Sequence, residues 1–355
     1  MAKNNTRIEV VTSTKRGLSS MSLGSAGAAQ VVLARHYTQV RTTIVNSLSD
    51  LNALLARHPD VVFLGMKFLP SNPAFGRNDP RKIWLNDYLE DAGIVCTGSD
   101  YWAHELELNK ELAKRRVLQA GLKTARFYIA RANEPFSQAD IALEYPLFVK
   151  PSDRGGGLGV DADSLVHTFT QLQSKVRSIA DKLGSDALIE EYLPGREFSV
   201  GILKDAEADD YCALPLELVA PVNDSGTRFL SGQIKSADTE QHFAVTDAAL
   251  RANINTLAMN VFRVLGARDY GRIDIRLNAA GVPHFLEANL LPSLLEGYGN
   301  FPKTCLLNAG LAYEPMLLRI VELALHRDPA TAGDTPEVLP DPGLLSAFKT
   351  AVEAV

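Results

Sequence analysis

The sequence is poor in cysteine, in long apolar runs and in clusters of basic residues. Its three cysteines, Cys96, Cys212 and Cys305, are far apart and have neither metal-ligand spacing nor a disulfide framework, so we expect reduced thiols in a cytoplasmic protein. No apolar run approaches the roughly 18 residues of a membrane-spanning helix, and the polar start does not resemble a signal peptide, so we expect no membrane partner. The longest basic run is Lys114-Arg115-Arg116 in a chain of net charge −6, which argues against a nucleic-acid partner.

The composition that remains is that of an enzyme-sized globular chain. It has 355 residues, 46% of them hydrophobic, enough for two or three domains with real cores. Up to about residue 99, short apolar strands alternate with helical segments, beginning with a strand at Ile8–Val11 and a helix over about 22–36. This alternation predicts an α/β fold whose first domain, 1–99, is Rossmann-like with a small parallel sheet. The Pro-, Asp- and Gly-rich segment 328–355 is predicted to be an appended tail.

A short predicted hairpin carries two carboxylates that face each other. Its strands, 272–277 and 282–289, flank a turn of residue types that tolerate positive φ. If the strands pair symmetrically, Asp274 lies opposite Glu287, give or take one residue, and Asn289 shares the face of Glu287. Facing carboxylates repel, and a cation between them removes the repulsion. Oxygen ligands of this kind suit Mg²⁺ held jointly with phosphates, although a surface hairpin with solvated acids is the simpler alternative.

A second stretch has the composition of a phosphate-binding loop. A predicted strand ends at Lys150 and is followed by four glycines within five positions, Gly155, Gly156, Gly157 and Gly159. Glycine-rich backbone exposes N–H groups that can cradle phosphate oxygens, and Lys150 adds a point charge. The offsets match neither a Walker motif nor a dinucleotide fingerprint, and an ordinary glycine-rich hairpin is the alternative.

The segment 187–201 is predicted to form a strand, a turn and a second strand, and it carries three acids. Glu190 and Glu191 end the first strand, a Pro-Gly pair turns the chain, and Glu197 opens the second strand. Carboxylates at a strand end can accept hydrogen bonds from an adenine amino group or a ribose diol, and backbone groups of Glu191–Leu193 can contact the base edge. Alternatively, Glu190 and Glu191 lie on either side of an edge strand.

Three further basic residues accompany these segments. Arg272 shares the carboxylate face of the hairpin and suits anionic substrate oxygens. Lys110 lies in a charged predicted helix over 100–120, where a solvated lysine is the ordinary interpretation. Lys235 stands alone in the polar stretch 223–242, which is either a mobile lid or an ordinary solvated loop.

Taken in order, these pieces resemble the ATP-grasp superfamily. The lysine-ended strand with its glycine-rich loop is followed by Glu-Glu-Tyr-Leu-Pro-Gly-Arg-Glu-Phe, a lid lysine, Arg-Ile-Asp and Glu-Ala-Asn, and the whole is similar to a D-alanine–D-alanine ligase. The similarity runs over about 93–324 and is strong over 145–292. It implies three α/β domains, with ATP gripped between the sheets of a central domain, 100–186, and a C-terminal domain, 187–327.

The resemblance also implies a role for each matching residue. Nucleotide contacts would come from Lys110 and Lys150 at the phosphates, Gly155, Gly156 and Gly157 in the loop over them, Glu190, Glu191, Tyr192 and Leu193 at adenine, Glu197 at the ribose, and Leu286 in the same pocket. Two Mg²⁺ ions, replaceable by Mn²⁺, would bind Asp274, Glu287 and Asn289. The catalytic positions would be Arg272 at the oxyanion, Lys235 at the γ-phosphate and Gly156 in the loop.

The implied reaction has two steps and uses a small-molecule carboxylate and an amine. The carboxylate attacks the γ-phosphorus of ATP to give an acyl phosphate and ADP, and the amine then attacks the acyl carbon and expels phosphate. Metal and lysine charges neutralise the transferring phosphoryl group, so positioning and electrostatics carry the catalysis. The resemblance further implies a homodimer.

The substrate positions depart from the family pattern. Where the family has a glutamate for the first substrate's ammonium group, this chain has Leu18, the loop serine is Gly156, and the tyrosine after the lid lysine is Ser236. The family's Pro-Gly-Met stretch is Pro292-Ser293-Leu294 here, and the serine for the second substrate's carboxylate aligns with Gly299. A buried ammonium group without a carboxylate partner is costly, so the substrates should differ.

We therefore expect a carboxylate–amine ligase that resembles D-alanine–D-alanine ligase in its ATP chemistry and has altered substrate pockets. One alternative is a genuine D-alanine–D-alanine ligase of cell-wall synthesis, and another is a carboxylate kinase that stops at the acyl phosphate. An inactive nucleotide-binding protein is disfavoured, because every ATP and metal position of the pattern is filled.

Overall fold

The computed structural model describes residues 3–15, 17–205, 210–222 and 226–327, with only the backbone at Ser236. One unit holds the described residues up to Tyr101 together with those from Leu317, and the other holds Trp102–Met316. The predicted tail, 328–355, lies outside the described residues. Parallel and antiparallel sheets combined with helices confirm the α/β class.

The first unit alternates strands and helices along the chain. Its elements are β1 (Asn4–Thr12), α1 (Leu23–Leu33), β2 (Tyr37–Ile44), α2 (Leu48–Leu55), β3 (Val61–Leu64), β4 (Phe68–Pro70), β5 (Lys82–Trp84), α3 (Leu85–Glu90) and β6 (Val95–Cys96). The parallel strands β2-β1-β3-β6 form one sheet in that order, as the alternating pattern predicts. The helix α1 begins after Ser22, whose hydroxyl accepts the backbone N–H of Ser25 and satisfies an otherwise unpaired donor.

The second unit is built on two antiparallel sheets. Its elements, of which α4 begins and α10 ends in the first unit, are α4 (Tyr101–Leu108), α5 (Lys110–Gln119), β7 (Phe127–Ala130), β8 (Leu147–Pro151), β9 (Leu165–Val166), α6 (Phe169–Leu183), β10 (Ala187–Glu191), β11 (Glu197–Lys204), β12 (Tyr211–Val219), α7 (Gly232–Ala237), β13 (Gln241–Ala244), α8 (Ala248–Val264), β14 (Tyr270–Leu277), β15 (Pro283–Asn289), α9 (Asn300–Ala309) and α10 (Tyr313–Leu325). One sheet has the order β7-β10-β8-β9 and the other β13-β12-β11-β14-β15. The strand β10 therefore belongs to the first of these sheets, whereas the predicted boundary at 186/187 assigns it to the later domain.

Each sheet is held by the apolar face of one helix. On the five-stranded sheet, Val261 and Phe262 of α8 pack in one core with Ile273 and Phe285 of the hairpin strands. On the four-stranded sheet, Leu172, Val176 and Ile179 of α6 pack against the inner side chains of β8 and β10. Close packing of this kind fixes the strands whose other face carries the predicted site residues.

The charged helix predicted over 100–120 is two helices, with the break at Asn109. The side chain of Asn109 accepts the backbone N–H of Leu112 at 3.1 Å and so caps α5. A capping asparagine satisfies a donor that a continuous helix would pair internally, which explains the break. Lys110 is therefore the first residue of α5, and its backbone N–H donates to the carbonyl oxygen of Ser152 at 3.0 Å, close to the glycine-rich loop.

Candidate active site

A cleft lined by polar, charged and apolar side chains lies in the second unit. Predicted site residues from both sheets and from α5 and α7 line this cleft: Lys110, Lys150, Gly157, Glu190, Glu191, Tyr192, Leu193, Glu197, Lys235, Asp274, Leu286 and Glu287. Four predicted residues, Gly155, Gly156, Arg272 and Asn289, are not among its lining. The tertiary structure thus gathers most of the predicted set in one place.

The hairpin of β14 and β15 places Asp274 directly opposite Glu287 as predicted, through a register that the sequence does not reveal. Near the turn, Arg276 pairs with His284, which is one residue away from symmetric pairing. A bulge at Leu286 adds one residue to β15 and restores the pair of carboxylates. Because a bulge re-aims side chains relative to simple alternation, Leu286 and Glu287 both line the cleft although they are neighbours in sequence.

Three side chains hold the carboxylate of Asp274. Arg272 donates from Nε and Nη2 to the two carboxylate oxygens at 2.9 and 3.0 Å. Asn289 donates its amide to Oδ2 at 3.2 Å, and Ser199 donates its hydroxyl to Oδ1 at 3.1 Å. In the described part of the chain, no three His, Cys, Asp or Glu side chains are grouped to hold a metal by themselves. Two carboxylates and an amide oxygen instead fit Mg²⁺ that shares its coordination with phosphate oxygens.

Glu287 lies among basic side chains. The Nζ atom of Lys110 is 3.8 Å from its Oε2 atom. Burial raises the pKa of this carboxyl, but the charges of Lys110, Lys235 and Lys150 lower the pKa to about 2. The carboxylate is therefore ionised at neutral pH, which is the state that binds a cation.

The carboxylate of Glu190 is shared between two buried lysines. Lys150 Nζ lies 2.7 Å from Oε2, and Lys114 Nζ lies 2.5 Å from Oε1. Lys114 is 0% exposed and is absent from the predicted site residues. Its position four residues after Lys110 in one helix is the signal that could have revealed it, because such residues share a helix face.

Glu197 is paired with a second residue that the sequence analysis misses, Arg276. The two lie opposite each other in β11 and β14, and Arg276 Nη1 donates to Glu197 Oε2 at 3.0 Å. Burial raises the pKa of Glu197 against the opposing charge of Arg276. The guanidinium also lies 5.3 Å from the ring centre of Tyr192. Alternation along β14 could have indicated Arg276, since it shares a face with Asp274 two residues earlier.

The side chain of Glu191 is hydrogen-bonded to Arg126 and so is already occupied, although the sequence predicts it to contact adenine. Arg126 donates from Nε to Glu191 Oε2 at 3.0 Å and from its backbone N–H to Oε1 at 2.9 Å. Leu193, by contrast, is buried and lines the cleft. The backbone N–H groups of Glu191 and Tyr192 also donate within the protein, to Arg126 O at 3.0 Å and to Pro146 O at 3.3 Å, so these two groups are not free to meet a base edge.

The glycine-rich loop packs backbone to backbone on the start of α7. A Cβ atom on Gly157 would lie 2.8 Å from Gly232 N, and one on Gly232 would lie 2.8 Å from Gly157 O. Gly157 also has a φ of +77°, so both the contact and the conformation require glycine. Gly232 N donates to Val160 O at 3.3 Å. The contact places Lys235 of α7 at the cleft. The described part of the stretch 223–242, predicted to be a lid or a solvated loop, contains the short helix α7 and the start of β13.

Three of the substrate positions that depart from the family pattern, Leu18, Gly156 and Gly299, offer no polar side chain. Leu18, in the first unit, is buried at 7% exposure. Gly156 faces open space with a φ of +66°. At Gly299 a Cβ atom would overlap the carbonyl oxygen of Ser293, so that position cannot carry a side chain without moving the loop. The side chain of Ser236 lies outside the described part of the structure.

Comparison with known proteins places these features in a family. A family model described as D-ala D-ala ligase C-terminus matches residues 118–322. The uncharacterized protein y4sG of Sinorhizobium fredii is 30% identical over 243 residues, covering 67% of this chain and 69% of that protein. A D-alanine–D-alanine ligase of Geobacter sulfurreducens is 29% identical over 305 residues, covering 85% of this chain and 88% of that protein.

Solved structures agree at the level of the fold. The D-alanine–D-alanine ligase from Bacillus anthracis, complexed with ATP, matches with a TM-score of 0.71 at 20% identity, over 90% of this chain and 97% of that one. In the described part of this chain, no helix is long and apolar enough to cross a membrane. Because the family model spans more than half of the sequence, the chain belongs to the D-alanine–D-alanine ligase family and is an ATP-grasp ligase.

Proposed function

We propose that this enzyme is an ATP- and Mg²⁺-dependent carboxylate–amine ligase that forms an amide bond through an acyl phosphate and has altered substrate pockets. The observation that carries the proposal is the meeting of Lys110, Lys150 and Lys235 with Asp274 and Glu287 in one cleft. Such a set offers cations for phosphate oxygens and hard oxygen ligands for a metal that phosphates share.

The cleft supports one orientation of the nucleotide. Adenine would lie beside Glu190 and the backbone of 191–193, with Leu286 as an apolar contact, and the ribose would lie beside Glu197. The triphosphate would then extend toward Lys235 on α7. The supporting observation is that all of these groups line a single cleft.

Asp274, Glu287 and Asn289 would hold Mg²⁺, for which Mn²⁺ could substitute. The ion would offset the negative charge of the terminal phosphate oxygens. The fit rests on the oxygen donors themselves and on Arg272, whose two hydrogen bonds orient the carboxylate of Asp274. Glu287 is kept ionised by the lysines around it.

The remaining steps fall to side chains of this chain and to positioning. The substrate carboxylate forms a bond to the γ-phosphorus as the bond to the ADP oxygen breaks, and Lys150 and Lys235 would take up charge on the transferring group. Backbone N–H groups of Gly155–Gly157 would cover the phosphates. The amine then bonds to the acyl carbon, phosphate leaves, and Arg272 would stabilise the oxyanion between these two events.

The proposal that the pockets are altered rests on Leu18 and Gly299. One is a buried apolar side chain and the other cannot accept a side chain, so neither supplies the polar group that the family pattern has there. A genuine D-alanine–D-alanine ligase is the second candidate, favoured by similarity to the Geobacter sulfurreducens ligase over 85% of this chain. A homodimer and a cytoplasmic location remain predictions from the sequence.

The test is ADP release by the purified full chain with Mg²⁺-ATP, across a panel of carboxylic acids and amines that includes D-alanine. Amide formation from a pair other than two D-alanines supports the proposal. Efficient D-alanine dipeptide formation would establish the second candidate instead. Acyl phosphate that hydroxylamine traps, with no amide formed from any amine, would identify a carboxylate kinase. Failure to bind ATP at all would refute the nucleotide assignment.

A further inference from the structure

We infer that Lys114 is a positioning residue for the nucleotide: it acts through Glu190 and sets the geometry of the Lys150 side chain without touching the ligand. This inference rests on the proposed ATP site. Lys114 is 0% exposed and does not line the cleft, so direct contact with a nucleotide is excluded by its burial. Its influence must pass through the groups that it touches.

Lys114 is held by two hydrogen bonds and one ion pair. An ammonium group has three donors, and Lys114 Nζ has three oxygen partners. These are Glu190 Oε1 at 2.5 Å, the hydroxyl of Thr124 at 2.6 Å and the carbonyl oxygen of Phe285 at 3.4 Å. A buried cation held by an ion pair and two hydrogen bonds has little freedom to move, because movement would separate it from its counter-charge and its acceptors.

Glu190 transmits this fixed position to the cleft. Its Oε1 meets Lys114 and its Oε2 meets Lys150 at 2.7 Å, so the carboxylate is clamped at both oxygens. Glu190 and Lys150 both line the cleft, whereas Lys114 lies behind them. Without Lys114, the Glu190 carboxylate would be free to rotate toward Lys150 alone. The side chains of Glu190 and Lys150 would then lose the orientation in which they face a bound nucleotide.

Lys114 also joins this pair to the metal-bearing hairpin. The hydroxyl of Thr124 donates to the carbonyl oxygen of Phe285 at 2.7 Å, and that same oxygen accepts from Lys114. Phe285 immediately precedes the bulge at Leu286. Two lysines of α5 therefore pair with two different carboxylates of the site. Lys110 lies beside Glu287, and Lys114 lies behind Glu190.

The charge balance explains why an apolar residue would not serve equally well. Burial lowers the pKa of Lys114, and the charge of Glu190 opposes that lowering. When Lys114 is protonated, it and Lys150 set two positive charges against the carboxylate that joins them, Glu190. Loss of Lys114 would leave Glu190 and Lys150 as a neutral pair. An anionic ligand would then meet less positive potential as well as less ordered groups.

The experiment is a double-mutant cycle on the full chain with Lys114→Met, Glu190→Gln and the double variant, measuring the dissociation constant of Mg²⁺-ATP and the KM and kcat of ADP release. If Lys114 acts through Glu190, K114M weakens ATP binding by roughly tenfold or more, mainly through KM. The double variant should then bind ATP no more weakly than E190Q alone. Additive effects of the two changes, or unchanged ATP affinity in K114M, would overturn the inference.

Two further variants separate positioning from general stability. Lys175 is another buried lysine of the same unit, paired with Asp161 at 2.6 Å and absent from the cleft lining, and K175M should leave ATP affinity unchanged. Thr124→Val removes one partner of Lys114 and keeps the side-chain shape, so it should weaken ATP binding by a few-fold in the wild-type background and not at all in K114M. If K114M does not fold, T124V in place of K114M completes the cycle with E190Q. If the wild-type chain does not bind ATP, the proposed function itself is refuted. If the wild-type chain binds ATP but the effects of K114M and E190Q on ATP affinity are additive, only this inference is refuted.

Discussion

The contact between Gly157 and Gly232 supports a specific prediction for Gly232→Ala. Gly232 opens α7 and is not among the glycines with positive φ, so alanine is compatible with its backbone conformation. The added methyl group would lie 2.8 Å from the carbonyl oxygen of Gly157. Any loss of activity would therefore come from the steric contact and not from backbone strain.

The size of the effect follows from the geometry. Carbon and oxygen atoms in ordinary contact lie about 3.5 Å apart, so the loop and α7 would have to separate by roughly 0.7 Å. Overpacking of this kind costs about 1–3 kcal/mol, and about 1.4 kcal/mol corresponds to a tenfold change in rate. We expect kcat/KM for ADP release to fall by roughly 10- to 100-fold, because Lys235 is carried by α7 and the proposed phosphate site lies under the loop.

The assay is steady-state ADP release, with thermal unfolding measured in parallel. Gly27→Ala is the matched control, since Gly27 is also a helical glycine and a Cβ atom there would meet nothing within 4 Å. The control should retain wild-type activity and stability. Wild-type kcat/KM in G232A, or an equal loss in both variants, would refute the argument that this backbone contact assembles the site.

Further changes test other parts of the structure. Glu287→Gln should abolish ADP release with every substrate, because it removes a charged ligand of the proposed Mg²⁺, and turnover in this variant at saturating Mg²⁺ would contradict the metal assignment. The Glu287 carboxyl also predicts a pH dependence, because its pKa in the folded protein is about 2 and lies below its usual value of 4.5. Its contribution to the free energy of unfolding is therefore present above pH 4.5 and is lost as the pH falls toward 2, and E287Q should remove this dependence from acid denaturation curves. Arg276→Met should raise the KM for ATP by roughly tenfold with a smaller change in kcat, since Glu197 loses its partner within the cleft, and titration of ATP binding checks this. Gly299→Ser, which restores the family's serine, should lower the thermal midpoint and should not create D-alanine dipeptide synthesis, because its side chain collides with the carbonyl group of Ser293.

Local pattern was sufficient for much of the candidate site. Strand alternation places Asp274 and Arg272 on one face, and glycine content marks the loop at 155–159, because both properties depend only on neighbouring residues. The order of the segments along the chain is enough to indicate the ATP-grasp family, and the family match over 118–322 confirms it.

Other features depend on partners that are distant in sequence. The bulge at Leu286 decides that Glu287, and not its neighbour, faces Asp274, and a hydrogen-bond register cannot be read from one strand alone. The position of Glu191 in the sequence suggests a contact with the base, yet its carboxylate accepts a hydrogen bond from Arg126, which immediately precedes β7. The split of the predicted helix at Asn109 could have been anticipated, since asparagine favours the N-cap position.

The sequence by itself determined the fold class, the family and the chemical character of the ATP half of the site, because these follow from periodicity, residue type and segment order. Only the tertiary structure decided which charges are paired. Lys114 appears in the sequence as one basic residue of three, and folding makes it a buried cation with three oxygen partners. The pairing of charges depends on burial and on distances between strands and helices far apart in the chain, and Coulomb interactions depend on both.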